Sequence, residues 1–332
     1  MQIIFYRKGE REAPTTTKDI PDRFLPLLLP YANCVWTPGS YGGHITQQIA
    51  GDHYTLTLYD FFIESAVKLY PFATAPLVTF VFVMEGTLSC LLQGFGALSL
   101  QETCNYLFYV PTGIRHEAYL LPGSYRLLHF SLSPPLLSEL AKDYPVIRTL
   151  INKLDTSEVN GTKELEVPFT LRTWGLLHDV LHYRPSRGHL HTFIQSKIFE
   201  LMLEYTKALE QPEKISRAFN AEMKSVADRL LQVKVLIDEH EGKPFRIEFL
   251  ARKSALNSKQ LKEAFHKMFQ TTIGKYQLQQ RMIRAGELLV ETSLSVDEIS
   301  EKVGYDDRSS FTRKFKTLYK VTPLRYRGNF RK

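Results

Sequence analysis

The C-terminal third of this 332-residue chain carries one pattern written twice. In Ser293–Tyr326, SLSVDEISEKVGYDDRSSFTRKFKTLYKVTPLRY, the run Asp297–Val303 predicts a short helix. Gly304 ends it, because glycine enters the left-handed conformation without steric cost. Asp306 or Asp307 can cap a second helix reaching Tyr319, with Phe311, Phe315 and Tyr319 spaced i, i+4, i+8 on the buried face. Arg308, Ser309, Thr312, Arg313 and Lys316 are left facing outward. Fifty residues upstream the spacing recurs: Leu261 answers Phe311, Phe265 answers Phe315, Phe269 answers Tyr319 and Tyr276 answers Tyr326. With one residue of slippage in the turn, Leu250-Ala251 answers Ile299-Ser300, and Leu256-Asn257 answers Tyr305-Asp306. In this copy Asn257 is the expected cap. Leu261, Phe265 and Phe269 point inward, and Lys259, Gln260, Lys262, Glu263 and His266 point outward. A repeat at this period marks a duplicated structural unit.

A short helix, a tight turn and a second helix with a polar, basic outer face is how a helix-turn-helix presents a recognition helix to the major groove. An ordinary solvated hairpin explains one copy but not a second at a constant offset. Between the copies, Gln277–Val290 reads as a single helix with Met282, Ile283, Leu288 and Leu289 as its apolar positions. Fourteen helical residues span about 21 Å. With the flanking units added, the two outer helices are expected roughly 34 Å apart, one turn of DNA.

Charge follows the same division. Residues 220–332 hold 23 Lys and Arg against 14 Asp and Glu, a net of +9, whereas residues 1–219 come to −2. A basic module on a near-neutral body is the electrostatic footprint of phosphate binding, which makes double-stranded DNA the expected partner.

The region from about Met223 to Phe330 resembles the DNA-binding domain of the AraC/XylS family of bacterial transcription regulators. The matching residues are Leu250-Ala251, Leu261, Phe265, Tyr276, Arg281, Ala285, Leu288-Leu289, Ile299, Val303-Gly304-Tyr305, Ser309, Phe311, Phe315 and Val321-Thr322-Pro323. Two departures stand out. Gln270 and Lys320 occupy the place after each recognition helix where the family usually has glycine, and Ser300 stands where it prefers alanine. The resemblance implies that Lys259, Lys262 and Glu263 in the first helix, and Arg308, Ser309, Thr312 and Arg313 in the second, meet bases or adjacent phosphates. Arginine can read guanine bidentately, while lysine more often neutralises phosphate. Glu263 can accept from cytosine or pair with Lys267 four residues on, and the pairing is the favoured reading.

From His44 to Ser133 the chain is a succession of short β-rich runs separated by turn residues, which predicts an antiparallel sandwich or barrel. Asn105-x5-Pro111-Thr112-Gly113-Ile114-Arg115-His116 resembles the second motif of cupin jelly rolls, and Glu85-Gly86 the hairpin before it. The expected fold is therefore multidomain. A cupin-like antiparallel β domain occupies residues 1–135, a helical extension and linker 136–212, and an all-α tandem helix-turn-helix domain 213–332. The mouth of such a barrel is the default place for a small organic effector, with His44, Tyr109, Arg115 and His116 as candidate lining residues.

No metal or cofactor is expected, because His44, His53 and His129 match no ligand spacing. His178 and His182 lie four apart without a companion carboxylate and read as a solvated or packed face. A metal-dependent cupin enzyme with an appended basic domain is the competing class, and a protein-interaction role for the β domain is another; a non-enzymatic regulator is the preferred reading. RNA polymerase and a second copy of the chain are further candidate partners. Residues 1–43 are loop-rich, either an arm or a peripheral strand pair. No run of eighteen apolar residues suggests a membrane span. Three cysteines without metal spacing fit a reducing cytoplasm.

Overall fold

The structure, a computed structural model, describes residues 3–7, 13–92, 96–113, 116–155, 162–163, 166–183, 189–210 and 221–330. It divides into two compact units, Met1–Thr170 with Leu176–Phe219, and Leu171–Gly175 with Asn220–Lys332.

In the first unit the strands are β1 (Ile3–Arg7), β2 (Asn33–Gly39), β3 (Gly42–Ala50), β4 (Tyr54–Ile63), β5 (Val67–Ala73), β6 (Leu77–Glu85), β7 (Leu88–Leu92), β8 (Gly96–Leu100), β9 (Cys104–Val110), β10 (Glu117–Leu120), β11 (Gly123–Leu132), β12 (Thr162–Lys163) and β13 (Val167–Pro168). All pairings are antiparallel. They build a sheet ordered β1-β5-β10-β7-β8 and another ordered β12-β9-β6-β11-β4-β3-β2, with β13 also on β9. The expected β architecture is thus realised as two separate sheets.

Period-two alternation explains the packing between them. Tyr59, Phe61, Val81, Val83, Tyr106 and Leu127 of the larger sheet meet Leu69, Leu88, Cys90, Leu100, Ala118 and Leu120 of the smaller. The intervening residues of the larger sheet face the other way. Phe80 stacks on Phe130 at 4.8 Å and meets Tyr205 edge-on at 5.4 Å, so a helix covers that side. The helices of this unit are α1 (Pro134–Leu140), α2 (Pro145–Asp155), most of α3 (Leu171–His182) and α4 (Leu190–Glu210).

The described part of residues 1–43 holds more regular structure than its composition suggests. β1 edges the smaller sheet, and β2 edges the larger. Between them, a 3-10 helix over Asp22–Leu27 is tied down by Gln47, which is fully buried. The Gln47 amide accepts from the Leu29 backbone at 2.7 Å and donates to Asp60 at 3.0 Å. Arg126 completes the set by donating to Asp60 at 2.5 Å.

The second unit is helical: α5 (Ala221–Asp238), α6 (Ile247–Lys253), α7 (Ser258–Phe269), α8 (Ile273–Glu291), α9 (Val296–Lys302), α10 (Arg308–Tyr319) and α11 (Pro323–Phe330). The 19-residue α8, about 28 Å long, is the spine. Its Met282, Ala285, Leu288 and Leu289 pack with Ile299, Val303, Phe311 and Phe315. Ile283, expected among the apolar positions, is exposed instead. The proposed linker at Gln211-Pro212-Glu213 lies outside the described residues.

Candidate nucleic-acid interface and interior cavity

Each helix-turn-helix is set by its caps. Asn257 and Gln260 form a capping box: the Asn257 Oδ1 accepts from the Gln260 backbone at 2.9 Å, and the Gln260 Oε1 accepts from the Asn257 backbone at 3.1 Å. Ser295 and Glu298 do the same for α9. At α10 the cap is Asp307, whose carboxylate accepts from Ser310 N at 2.7 Å. That hydrogen bond holds its pKa below the ordinary value. Asp306 is therefore the extra residue in the second turn, and it ion-pairs with Lys243 at 2.6 Å.

Three non-glycine residues sit in left-handed backbone within the unit: Ala255 (φ 47°), Gln270 (φ 56°) and Lys320 (φ 61°). Ala255 occupies in the first turn the place that Gly304 (φ 80°) holds in the second. Gly304 has a further reason to be glycine. A Cβ there would lie 2.2 Å from the Gly242 backbone, so the second turn presses against the loop that leads into α6.

Polar groups on α8 hold the approach to the first helix-turn-helix and the turn of the second. The Gln277 side chain accepts from Phe245 N at 2.7 Å and donates to Phe245 O at 3.2 Å, fixing the approach to α6. One turn on, Arg281 donates to Val303 O at 2.6 Å and lies 4.3 Å from the Tyr305 ring. Glu241 accepts from Arg284 at 2.6 Å and lies 3.7 Å from Lys302.

On α7, Lys259, Gln260, Lys262, Glu263 and His266 are all exposed. Gln260 has already committed its carbonyl oxygen to the cap. Glu263 is in no ion pair with Lys267, contrary to the expected pairing; an exposed i,i+4 pair gains only a few tenths of a kcal/mol and does not order two long side chains. On α10, Arg308, Ser309, Arg313 and Lys316 are exposed and Thr312 is half-buried. Arg308 donates to Asp297 at 3.1 Å, across the turn. Inside, Leu261, Phe265, Phe311 and Phe315 are fully buried as spaced. Phe269 and Tyr319, at the helix ends, are half-buried, and Met268 takes the buried place on α7.

Of the three candidate effector residues that are described, two converge and one does not. Tyr109 and His116 line a cavity of about 100 Å³ between the two sheets. His44 lines a different hollow, beside Val35 and Thr46. There its Nδ1 lies 3.1 Å from the Tyr41 hydroxyl, and burial lowers its pKa to about 4. Arg115 lies outside the described residues. His129, set aside by spacing, lines the interior cavity, where burial lowers its pKa to about 3. Its place was visible only as an alternate position in a strand-forming run. His178 and His182 stack at 3.9 Å. Among the described residues, no group of three or more His, Cys, Asp or Glu is placed to hold a metal. No described helix is long and apolar enough to cross a membrane.

A tandem helix-turn-helix on a shared spine, joined to a two-sheet β unit, defines a DNA-binding regulator. Sequence comparison agrees on both halves. The profile described as "Helix-turn-helix domain" matches residues 250–329, and "Regulatory protein PchR N-terminal domain" matches residues 43–219, more than half of the chain. The Msm operon regulatory protein of Streptococcus mutans is 30% identical over 140 residues, 42% of this chain and 46% of its own length. The regulatory protein SoxS of Salmonella typhimurium is 32% identical over 91 residues, 27% of this chain and 85% of SoxS. Among solved structures, the C-terminal domain of the response regulator yesN from Fusobacterium nucleatum is 36% identical, covering 30% of this chain and 98% of that domain, with a TM-score of 0.29. The chain belongs to the AraC-type transcriptional regulators, with the N-terminal domain of the PchR regulatory protein.

Proposed function

We propose that this protein is a sequence-specific transcriptional regulator whose α7 and α10 enter successive major grooves, and whose β unit answers a small organic effector. The observation that carries the reading is the pair of polar brackets on α8. Gln277 fixes the first helix-turn-helix and Arg281 the second, on one spine, so the two readers have a set spacing. Arg308, Ser309, Thr312 and Arg313 are assigned to bases in one groove, and Lys259, Lys262 and Glu263 to bases or phosphates in the other. His266 and Lys316 lie on the same outward faces and are assigned to phosphate. Gln260 keeps only its amide NH2 for DNA.

The division into a β regulatory part (1–135), a helical extension (136–212) and a DNA-binding part (213–332) belongs to the same proposal. So do cytoplasmic action, contact with RNA polymerase, dimerisation through the helical extension, and the absence of an enzymatic step.

Selection of the full chain on randomised duplexes tests the reading. It should recover two elements with centres one helical turn apart. Changes at Lys262 and Glu263 should alter one element, and changes at Arg308 and Arg313 the other. A single element, or no preference, would overturn it.

A further inference from the structure

The cavity between the sheets is walled mainly by hydrocarbon, including Ile3, Phe5, Leu88, Phe108 and Val110. Among the described residues, no Lys, Arg, Asp or Glu side chain lines it, and its two histidines are His116 and His129. His129 belongs to the inner face of β11, opposite Thr57 and Val81 on the neighbouring strands, with the Tyr59 ring edge-on at 5.0 Å. Both of its ring nitrogens are sealed from solvent, and neither has a hydrogen-bond partner. Other polar groups along the wall are engaged. The Tyr59 hydroxyl donates to Ile3 O at 3.3 Å, and the Thr79 hydroxyl to Phe130 O at 3.3 Å.

An imidazole closed off with its hydrogen bonds unmade is costly, and native proteins keep few such groups without a use for them. Burial keeps this ring neutral, so it has one donor and one acceptor to offer. A carboxylate or phosphate would lose its hydration and meet no cationic side chain among the described lining residues. At about 100 Å³ the space is on the scale of the roughly 150 Å³ apolar cavity that accepts benzene, which limits the ligand to one small ring or a branched chain end. The wall at Ile3 and Phe5 belongs to β1, the strand at the edge of the smaller sheet.

We infer that the effector of the β unit is a small, uncharged, largely apolar molecule, or the end of one, that exchanges a single hydrogen bond with His129. The inference rests on reading that unit as the regulatory half, and it names the chemistry the unit accepts.

Phenol, toluene and benzoate, titrated into the full-length chain with isotope-labelled histidine and followed by NMR, test it. Phenol and toluene should bind saturably, phenol about five- to tenfold more tightly, with the His129 ring resonances moving on phenol binding. Benzoate should not bind. His129→Phe should retain toluene and abolish the advantage of phenol. Val81→Phe, which fills the cavity, should remove both; if that variant does not fold, the His129→Phe comparison decides alone. Benzoate binding as tightly as phenol, a phenol advantage that survives His129→Phe, or no saturable binding of either neutral probe would overturn the inference. Affinity of ligand-free His129→Phe for the selected duplex, measured separately, reports on DNA reading whatever the probes do.

Discussion

Arg281 donates its Nε hydrogen to the Val303 carbonyl at 2.6 Å, joining the spine of the second unit to the end of α9. That carbonyl belongs to the last turn of a helix and has no partner within it. The guanidinium also covers the Tyr305 ring, so one side chain sets the helix end and the turn that aims α10.

Arg281→Ala should therefore cost about 2 kcal/mol of stability, the usual scale for a hydrogen bond to a charged group whose partner stays behind. Lysine should recover only part of this, because it cannot bond and stack in the same plane. Urea unfolding followed in the helical unit would measure the loss. Affinity for the selected duplex should fall with it, as the second reader loses its fixed position.

Left-handed Ala255, Gln270 and Lys320 each carry strain of about 1 kcal/mol that glycine would relieve. The gains should not be equal. Gln270 donates its side-chain amide to Lys267 O at 2.9 Å, and Lys320 donates to Thr317 O at 2.9 Å, so glycine there loses a helix-end bond. Ala255 has no such compensation. Ala255→Gly should give the largest rise in the urea midpoint. Ser300→Ala should also stabilise, by about 1 kcal/mol, because its hydroxyl is buried without a partner.

The β unit should lose stability as the pH falls below neutrality. Burial holds the folded pKa of His44 at about 4 and of His129 at about 3, against an ordinary value near 6.5. The unfolded chain thus takes up protons first. Stability is complete above about pH 6.5 and declines toward pH 4 by about 1.4 kcal/mol per pH unit for each histidine. Trp36 fluorescence in a Trp174→Phe background would follow the unit. His129→Phe should remove one histidine's share of the slope.

The duplicated unit was legible because its signals are local. Cap residues, helical spacing and a glycine turn fall within a dozen residues and are repeated. Where local signals tie, only packing decides: Asp307 over Asp306 as the cap, Met268 over Phe269 in the core. The β unit was legible as strands but not as a complete set. β5 was hidden by Pro71, which the fold tolerates because Pro71 lies beyond Leu69, past the last residue paired with β10. Which histidine faces the interior depends on how two sheets meet, so the candidate lining set took His44 with His116 and left out His129.

Arg308 is held by Asp297 in an exposed ion pair, with side chains 50% and 65% accessible. Such a pair contributes little to stability, which leaves the arginine available to DNA. The central claim is that α10 reads bases. Titrations of Arg308→Ala and Arg313→Ala against the selected duplex and against random duplex, at one fixed salt concentration, test it most directly. Each substitution should cost about 1–3 kcal/mol on the selected sequence and clearly less on random DNA. Equal losses on both would contradict base reading and leave the two arginines as phosphate contacts.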